Sequence, residues 1–362
     1  MSDFSAEAST GIPRKRIPKR NIVLSFIIVL LAIISYFLPL PLSPEAHVVL
    51  SILVLSVGLW VTEVIPLFLT AMIASILIVL TGIFSFDIAV EKFADPVLVL
   101  FLGGFLIARA MQNQEIDKKL GWMIASNVSN STLLLLAIML TTMFLSMWIS
   151  NTAATVIMIP IGLAVFGKTK EGSNFGKSLV LGVAYAANIG GIATIIGTPP
   201  NAIAVAYLSR MASVEISFFG WIIKALPISL ILIFIAWAVM LLIFPPEVKR
   251  VSRVREEFPK LDRDQKLFLS IFALTVALWL TTELHGISSS LIAIGSATLF
   301  FLVGILDKDD LARIGWDTLM LFGGGLVLGA AMFSSGLALY FSRVLATNLV
   351  MFPETGVIFA LI

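Results

Sequence analysis

Ser146-Met147-Trp148-Ile149-Ser150-Asn151-Thr152-Ala153-Ala154-Thr155 decides how this chain is read. It is a small, polar, helix-interrupting cluster inside a run, Gly121 to Gly167, that contains no charged side chain. Further along, Gly197-Thr198-Pro199-Pro200-Asn201 interrupts a second uncharged run, Ser178–Leu208. In lipid, a backbone polar group without a partner costs several kcal/mol, so irregular backbone survives only where protein or a water-filled cavity surrounds it. Ser, Thr and Asn can also serve as glue between helices, and Gly-Thr-Pro-Pro as a simple kink. Two such breaks, both rich in hydroxyl and amide oxygens, read better as halves of one binding site.

The composition says what surrounds them. Of 362 residues, 59% are hydrophobic and 13% charged, against about 25% charged in a soluble domain. Several apolar runs reach the ~20 residues needed to cross a ~30 Å hydrocarbon core. The fold class expected is an all-α polytopic membrane protein. The sequence contains no cysteine, which excludes disulfides and thiolate metal sites, and its two histidines, His47 and His285, stand far apart. The first apolar run, Ile22 to Leu40, exceeds the 7–15 residues of a signal-peptide core.

Charge sets the expected topology. Arg14-Lys15-Arg16 and Lys19-Arg20 abut the first span and place the N-terminus in the cytoplasm. Such a juxtamembrane cluster is the ordinary topology signal, and no nucleic-acid partner is expected from it. Spans follow at Ile22–Leu40, His47–Glu63, Leu67–Phe84 and Val97–Gln114. The run Gly121–Gly167 is too long for one crossing and reads as a re-entrant hairpin with residues 150–152 at its tip. Span five, Ser178–Leu208, is broken at Gly197–Asn201, and span six is Phe218–Phe244. The loop carrying Lys249, Arg250, Arg253, Arg255, Lys260, Arg263 and Lys266 is the strongest cytoplasmic signal. Spans seven to nine are Leu267–Leu284, Ser288–Leu306 and Asp317–Leu345. Apart from Lys92, Arg109, Arg210, Lys224 and Arg343, every Lys and Arg then faces the cytoplasm.

The second half echoes the first. Trp60-Val-Thr62-Glu63 recurs as Trp279-Leu-Thr281-Thr282-Glu283, and Thr81-Gly82-Ile83 as Val303-Gly304-Ile305. Phe101-Leu-Gly103-Gly104 returns as Phe322-Gly-Gly324-Gly325, with Ala110-Met111 matching Ala331-Met332. An odd number of crossings separates the copies, so they are expected to be inverted in the membrane, as in many transporters. Carrying Ser150 forward by the same offset puts a second tip beyond Ile362. The chain is therefore expected to be C-terminally truncated, with residues 348–362 starting a second hairpin.

The chemistry available is binding, not catalysis. No acid, base, thiol or imidazole lies between 121 and 167 or between 178 and 209, which leaves hydrolysis and metal-dependent catalysis without candidates. Neutral oxygens of Ser146, Ser150 and Asn151, with carbonyls freed near Gly197, suit a hard monovalent cation such as Na⁺. Ser146 and Ser150, four apart, are expected on one helix face. The helices that begin after the tip and after Pro200 point their positive ends at the cavity and favour an anion. Cation-coupled anion transport is the reading, with no organic cofactor. Polar groups concentrated at one depth fit an occluded site better than a channel. A Na⁺-independent dicarboxylate exchanger, a sulfate transporter and a non-transporting membrane scaffold or channel are the alternatives. Glu63 and Glu283 are expected at span ends, and Arg109 as an ion-pair partner within the scaffold.

Ser150-Asn151-Thr152-Ala-Ala-Thr155, Gly190-Gly191-Ile-Ala-Thr194 with Gly197-Thr-Pro-Pro-Asn201, and Thr62-Glu63-Val-Ile-Pro66 resemble the divalent anion:sodium symporters, carriers of di- and tricarboxylates or sulfate. The resemblance runs from about residue 45 to the end. It implies an inverted-repeat homodimer working by an elevator mechanism in the inner or plasma membrane. A cytoplasmic tail (1–21) would precede scaffold spans one to four (22–120). A transport domain (121–245) holds the hairpin, span five and span six; a cytoplasmic loop (246–266) and scaffold spans seven to nine (267–347) follow. It further implies that Ser146, Ser150, Asn151 and Gly197 bind a Na⁺, and that Asn151 and Thr152 touch a substrate carboxylate. Thr198, Pro199, Pro200 and Asn201 at the second break are the remaining substrate candidates.

Overall fold

The computed structural model describes residues 19–125, 127–166, 173–212, 215–247, 249 and 260–349. Among them are seventeen α-helices and no β-strand. Five helical stretches are long and apolar enough to cross a membrane: Pro44–Thr62, Phe86–Asn113, Asn174–Ile192, Phe218–Ile243 and Trp316–Ser334. The N-terminal tail up to residue 18, much of the basic loop after 247, and the expected second hairpin from residue 350 on lie outside the described residues. The helices fall into two compact units, one drawing on the chain up to Ala89 and from Gly324 on, the other on Val90–Gly323.

In the first unit α1 (Lys19–Tyr36) packs on α2 (Pro44–Thr62), and α2 on α3 (Leu67–Leu80). The start of α2 is chemically dictated. Ser43 accepts from the Ala46 N–H, and Pro44 takes the first turn, where a missing N–H costs nothing. Gly58 lets α1 approach, since a Cβ there would lie 2.7 Å from Ile28 Cγ2. The boundary between units falls within α4 (Phe86–Phe93), a short helix that the sequence reading left unassigned.

The second unit holds α5 (Pro96–Asn113), α6 (Ile116–Ala125), α7 (Ser131–Ser146), α8 (Asn151–Phe166), α9 (Asn174–Ile192) and α10 (Pro199–Ala212). After them come α11 (Phe218–Ile243), α12 (Arg263–Leu280), α13 (Thr282–His285), α14 (Ser289–Leu302) and α15 (Lys308–Ala312). The pair α7 and α9 forms its centre, flanked by α8 and α11. Leu134, Leu135, Ile138 and Met139 of α7 meet a fully buried face of α9 formed by Phe175, Leu179 and Val183. Small residues set the spacing, as lipid-embedded helices require. A Cβ on Gly190 would overlap the Met143 backbone, 2.8 Å from its Cα. The last described elements are α16 (Trp316–Ser334), which crosses the unit boundary, and α17 (Leu337–Leu349). Span nine, expected as one helix over Asp317–Leu345, is therefore two. The reason is Gly336, whose φ of +81° is open to glycine and breaks the helical register.

The sequence repeat recurs in the backbone. Every described residue with positive φ has its counterpart in the other half: Glu63 with Gly286, Gly82 with Gly304, Glu115 with Gly336. The turns after α3 and α14 close identically. Gly82 N–H donates to Val79 O and Ile83 N–H to Ile78 O, while Gly304 N–H donates to Phe301 O and Ile305 N–H to Phe300 O. This is the Schellman pattern that left-handed glycine makes possible. Packing repeats as well. Gly103 of α5 lies against Ala293 of α14, where a Cβ would fall 2.6 Å from the Ala293 Cβ. Gly324 of α16 lies against Ala71 of α3 at 2.7 Å by the same measure. Ala71 and Ala293 are themselves equivalent, so the glycine helix of each half packs on the other half's short helix.

Candidate functional site

The polar cluster of the first break caps a helical hairpin. Asn130 starts α7 by accepting from the Thr132 and Leu133 N–H groups, and α7 ends at Ser146. The chain turns through Met147–Ser150, and Ser150 Oγ accepts from the Ala153 N–H at 3.2 Å, capping α8. The expected sharing of one helix face by Ser146 and Ser150 does not hold, because the turn intervenes and Ser150 belongs to the start of α8. The tip also lies earlier than 150–152, since Asn151 and Thr152 form the first turn of α8. Each arm has 16 residues, or about 24 Å at 1.5 Å per residue, short of a ~30 Å hydrocarbon core.

The second break spans residues 193–198, between α9 and α10. It opens before the expected Gly197–Asn201, because Pro199 and Pro200 start a helix there rather than end one. Two of the carbonyls at the break are satisfied locally. Asn201 is buried and its Nδ2 donates to Gly191 O at 2.7 Å and Thr194 O at 2.8 Å. Thr194 Oγ1 donates to Met147 O at 2.6 Å, tying this break to the hairpin turn.

The two breaks converge on Gly191. A Cβ there would sit 2.8 Å from Asn151 Oδ1 and 3.3 Å from Thr198 Cβ. Gly197 in turn packs on Gly191, where a Cβ would lie 2.6 Å from the Gly191 carbonyl oxygen. Around this point Ser146 is fully buried, and its Oγ lies 2.8 Å from Asn151 Oδ1 and 2.7 Å from Ala187 O. One hydroxyl proton thus faces two acceptor oxygens, a spot rich in oxygen and poor in protons. Asn151 Nδ2 donates to Asn188 Oδ1 at 3.0 Å. Of the candidates, Ser146, Asn151, Gly197, Thr198 and Asn201 gather around Gly191. Ser150, Thr152 and Pro200 stand exposed at the starts of α8 and α10, and Pro199 is half-buried.

Sequence reasoning missed Asn188. Its signal was a lone amide within the apolar run of α9, one residue from a Gly-Gly pair. It also gave Trp148 no role. Trp148 is buried below the turn, stacked on Trp279 at 6.2 Å between centroids and edge-on to Phe272 at 5.1 Å. Phe218 stacks on Trp279 at 4.5 Å, so α11 and α12 both grip the hairpin turn.

Among the described residues no charged side chain is bonded to this cluster, and the N-termini of α8 and α10 meet at it. A helix N-terminus attracts an anion through free N–H groups and the macrodipole; α8 offers both, whereas α10, opening on Pro199-Pro200, offers mainly the macrodipole. Arg109 stands elsewhere, bonded through Nε to Asp310 Oδ1 at 2.8 Å, with Asn113 Nδ2 on the other carboxylate oxygen at 2.9 Å. That is the ion-pair role expected of it. Glu283 accepts from Ser217 Oγ at 3.0 Å, and Glu63 closes α2 with φ of +48°.

The sequence profile of the citrate transporter family (CitMHS) matches residues 57–362, which include both breaks and the Gly191 cluster. The chain belongs to the citrate transporter family. Among its relatives in that family's company is the sodium-dependent dicarboxylate transporter SdcS of Staphylococcus saprophyticus, 33% identical over 338 residues. That alignment covers 83% of this chain and 65% of the staphylococcal protein. The SdcS of Staphylococcus aureus strain bovine RF122 is 33% identical over 339 residues, with 84% and 65% covered. An uncharacterized transporter of Methanocaldococcus jannaschii is 35% identical over 306 residues, covering 83% of this chain and 69% of that protein. The chain thus spans about two thirds of the length of these relatives, and this citrate transporter family member carries the two breaks within that span.

Proposed function

We propose that this chain holds a sodium and carboxylate half-site of a secondary transporter that moves di- or tricarboxylates coupled to Na⁺. The observation that carries the reading is the convergence at Gly191. Ser146 and Asn151 offer an oxygen cluster with too few protons, beside the starts of α8 and α10. A cation completes the first, and an anion the second. Among the described residues no charged side chain neutralises either, so each ligand's charge favours the other's binding. That mutual dependence is thermodynamic coupling, and it is reciprocal.

In this reading Ser146, Ser150, Asn151 and the Gly197 carbonyl hold the Na⁺, while Asn151, Thr152 and Thr198 meet a substrate carboxylate. Pro199 and Pro200 fix the start of α10 against it, and Asn201 staples the break. The hairpin enters the membrane from the cytoplasmic side, where the N-terminus also lies. The hairpin with spans five and six moves as a transport domain against the scaffold spans, in a homodimer. The names of the staphylococcal relatives, sodium-dependent dicarboxylate transporters, support the choice of ion and substrate class.

Two variants separate the roles. Loss of a hydrogen bond to a charged group costs roughly 1.5–3 kcal/mol, about ten- to a hundredfold in affinity. Ser150→Ala should raise the Na⁺ concentration for half-maximal succinate uptake, with the succinate KM restored at saturating Na⁺. Thr152→Ala should raise the succinate KM at every Na⁺ concentration. Identical behaviour of the two at saturating Na⁺ would contradict the division of ligands.

A further inference from the structure

We propose that Asn188, on α9, is a positioning residue that fixes the orientation of the Asn151 amide and so sets the affinity for Na⁺. The inference rests on the sodium-coupled reading above and adds to it a residue outside both motifs.

An asparagine amide presents an oxygen on one edge and two donors on the other, and rotation by a half turn exchanges them. For Asn151 the two orientations differ in consequence. With its oxygen toward Ser146, as here, the pair Ser146 Oγ and Asn151 Oδ1 stand 2.8 Å apart, and Ser146 also faces Ala187 O at 2.7 Å. The cluster then lacks a proton and suits a cation. With the amide reversed, its NH₂ would donate to Ser146 and the hydroxyl proton would serve Ala187, so the Ser146 side of the cluster would be satisfied without a cation. The reversed state therefore competes with Na⁺.

Two contacts hold the cation-ready orientation. Asn151 Nδ2 donates to Asn188 Oδ1 at 3.0 Å. Reversal would bring the two side-chain oxygens together, so Asn151 cannot turn unless Asn188 turns as well. The second support is Gly191, three positions further along α9 on the same face as Asn188. Its bare Cα leaves room for the Asn151 amide, whereas a Cβ would stand 2.8 Å from Asn151 Oδ1 and 3.3 Å from Nδ2. Ala187, Asn188 and Gly191 thus form one stretch of α9 that cradles the hairpin turn. Asn188 is itself exposed, so its side chain supports no core, and its replacement should leave the fold intact.

The test is succinate uptake into proteoliposomes at a series of Na⁺ concentrations, using the full-length protein. Asn188→Ala should raise the half-saturating Na⁺ concentration about three- to tenfold, the range expected for one neutral hydrogen bond. Its succinate KM at saturating Na⁺ should stay within about twofold of the wild type, because binding terms are separable once one ligand saturates. Asn188→Asp keeps an acceptor facing Asn151 Nδ2 and should restore the wild-type Na⁺ dependence or tighten it. Gly191→Ala, which pushes the amide from the other side, should weaken Na⁺ in the same way as Asn188→Ala. An Asn188→Ala protein with unchanged Na⁺ dependence, beside a Na⁺-dependent wild type, would overturn the inference and leave the transport reading standing. So would a raised succinate KM at saturating Na⁺ with the Na⁺ dependence unmoved, which would make Asn188 a substrate contact. Wild-type uptake indifferent to Na⁺ would sink the transport reading, and the inference with it.

Discussion

Thr194 Oγ1 donates to the carbonyl oxygen of Met147 across 2.6 Å, joining the break in α9 to the turn of the hairpin. Both ends are buried. This bond ties the two interruptions together, and the half-site proposed at Gly191 depends on their staying in that register. Thr194→Val keeps the shape and leaves the Met147 carbonyl unpaired. A buried orphan acceptor costs about 1–3 kcal/mol, so the purified protein should unfold at a lower temperature, and Thr194→Ser should recover most of the loss. Equal melting temperatures for Thr194→Val and wild type would show that the bond does not hold the breaks together.

Helix spacing is tested by glycine. Gly190 faces the Met143 backbone, and Gly190→Ala must force α9 away from α7, because backbone cannot rotate aside as a side chain can. Overpacking of this kind typically costs about 1–3 kcal/mol. Gly295, within α14, has nothing within 4 Å of the place a Cβ would occupy. Gly295→Ala should be neutral or stabilising by up to about 1 kcal/mol. Thermal unfolding of both variants in detergent checks the contrast, and a destabilising Gly295→Ala would contradict the packing described.

The ion pair of Arg109 and Asp310 makes stability depend on pH. Burial opposes the Asp310 charge, but hydrogen bonds from Arg109, Asn113 and the Asp307 backbone, with the Arg109 charge, outweigh it and hold the carboxyl below its usual value. A carboxylate depressed on folding stabilises at pH above its unfolded value, near 3.9. That stability is lost as the pH falls through the folded value. Arg109→Met should cost about 2–4 kcal/mol at neutral pH, less than a fully buried pair because Arg109 is partly exposed. It should also flatten the acid limb of the melting curve below about pH 4. An acid limb unchanged in Arg109→Met would assign it to other groups.

Topology is open to direct labelling, since the sequence has no cysteine of its own. Lys119→Cys and Lys168→Cys flank the hairpin. Both should react with a membrane-impermeant reagent from the cytoplasmic side. Reaction from opposite sides would make the run a crossing rather than a re-entrant hairpin.

Much of this architecture was legible because the relevant signals are local. The uncharged runs, the Ser-Asn-Thr cluster and the tandem prolines are all readable in short windows of sequence, and they marked both breaks, although Ser150, expected on one face with Ser146, caps α8 instead. What escaped had tertiary causes. The second break begins at Ala193 because Thr194 is tied to Met147 and Asn201 reaches back to Gly191, contacts that no window of sequence contains. Pro199-Pro200 looked like the middle of the break, yet proline is as well suited to a helix start. Gly336 was read through as apolar helix, because only its φ distinguishes it from the helical glycines around it. Arg109 found Asp310 two hundred positions away. Asn188 was overlooked because its partner, Asn151, comes from the other element. The polar residues of the motifs were visible, and the one that orients them was not.

The central claim is that Na⁺ and a dicarboxylate meet at the Gly191 half-site and are carried together. Uptake of radiolabelled succinate by the full-length protein in proteoliposomes, under an inward Na⁺ gradient and under an equal K⁺ gradient, tests it most directly. Saturable accumulation is expected with Na⁺, little with K⁺, and collapse when the Na⁺ gradient is dissipated. Equal uptake in Na⁺ and K⁺ would contradict it.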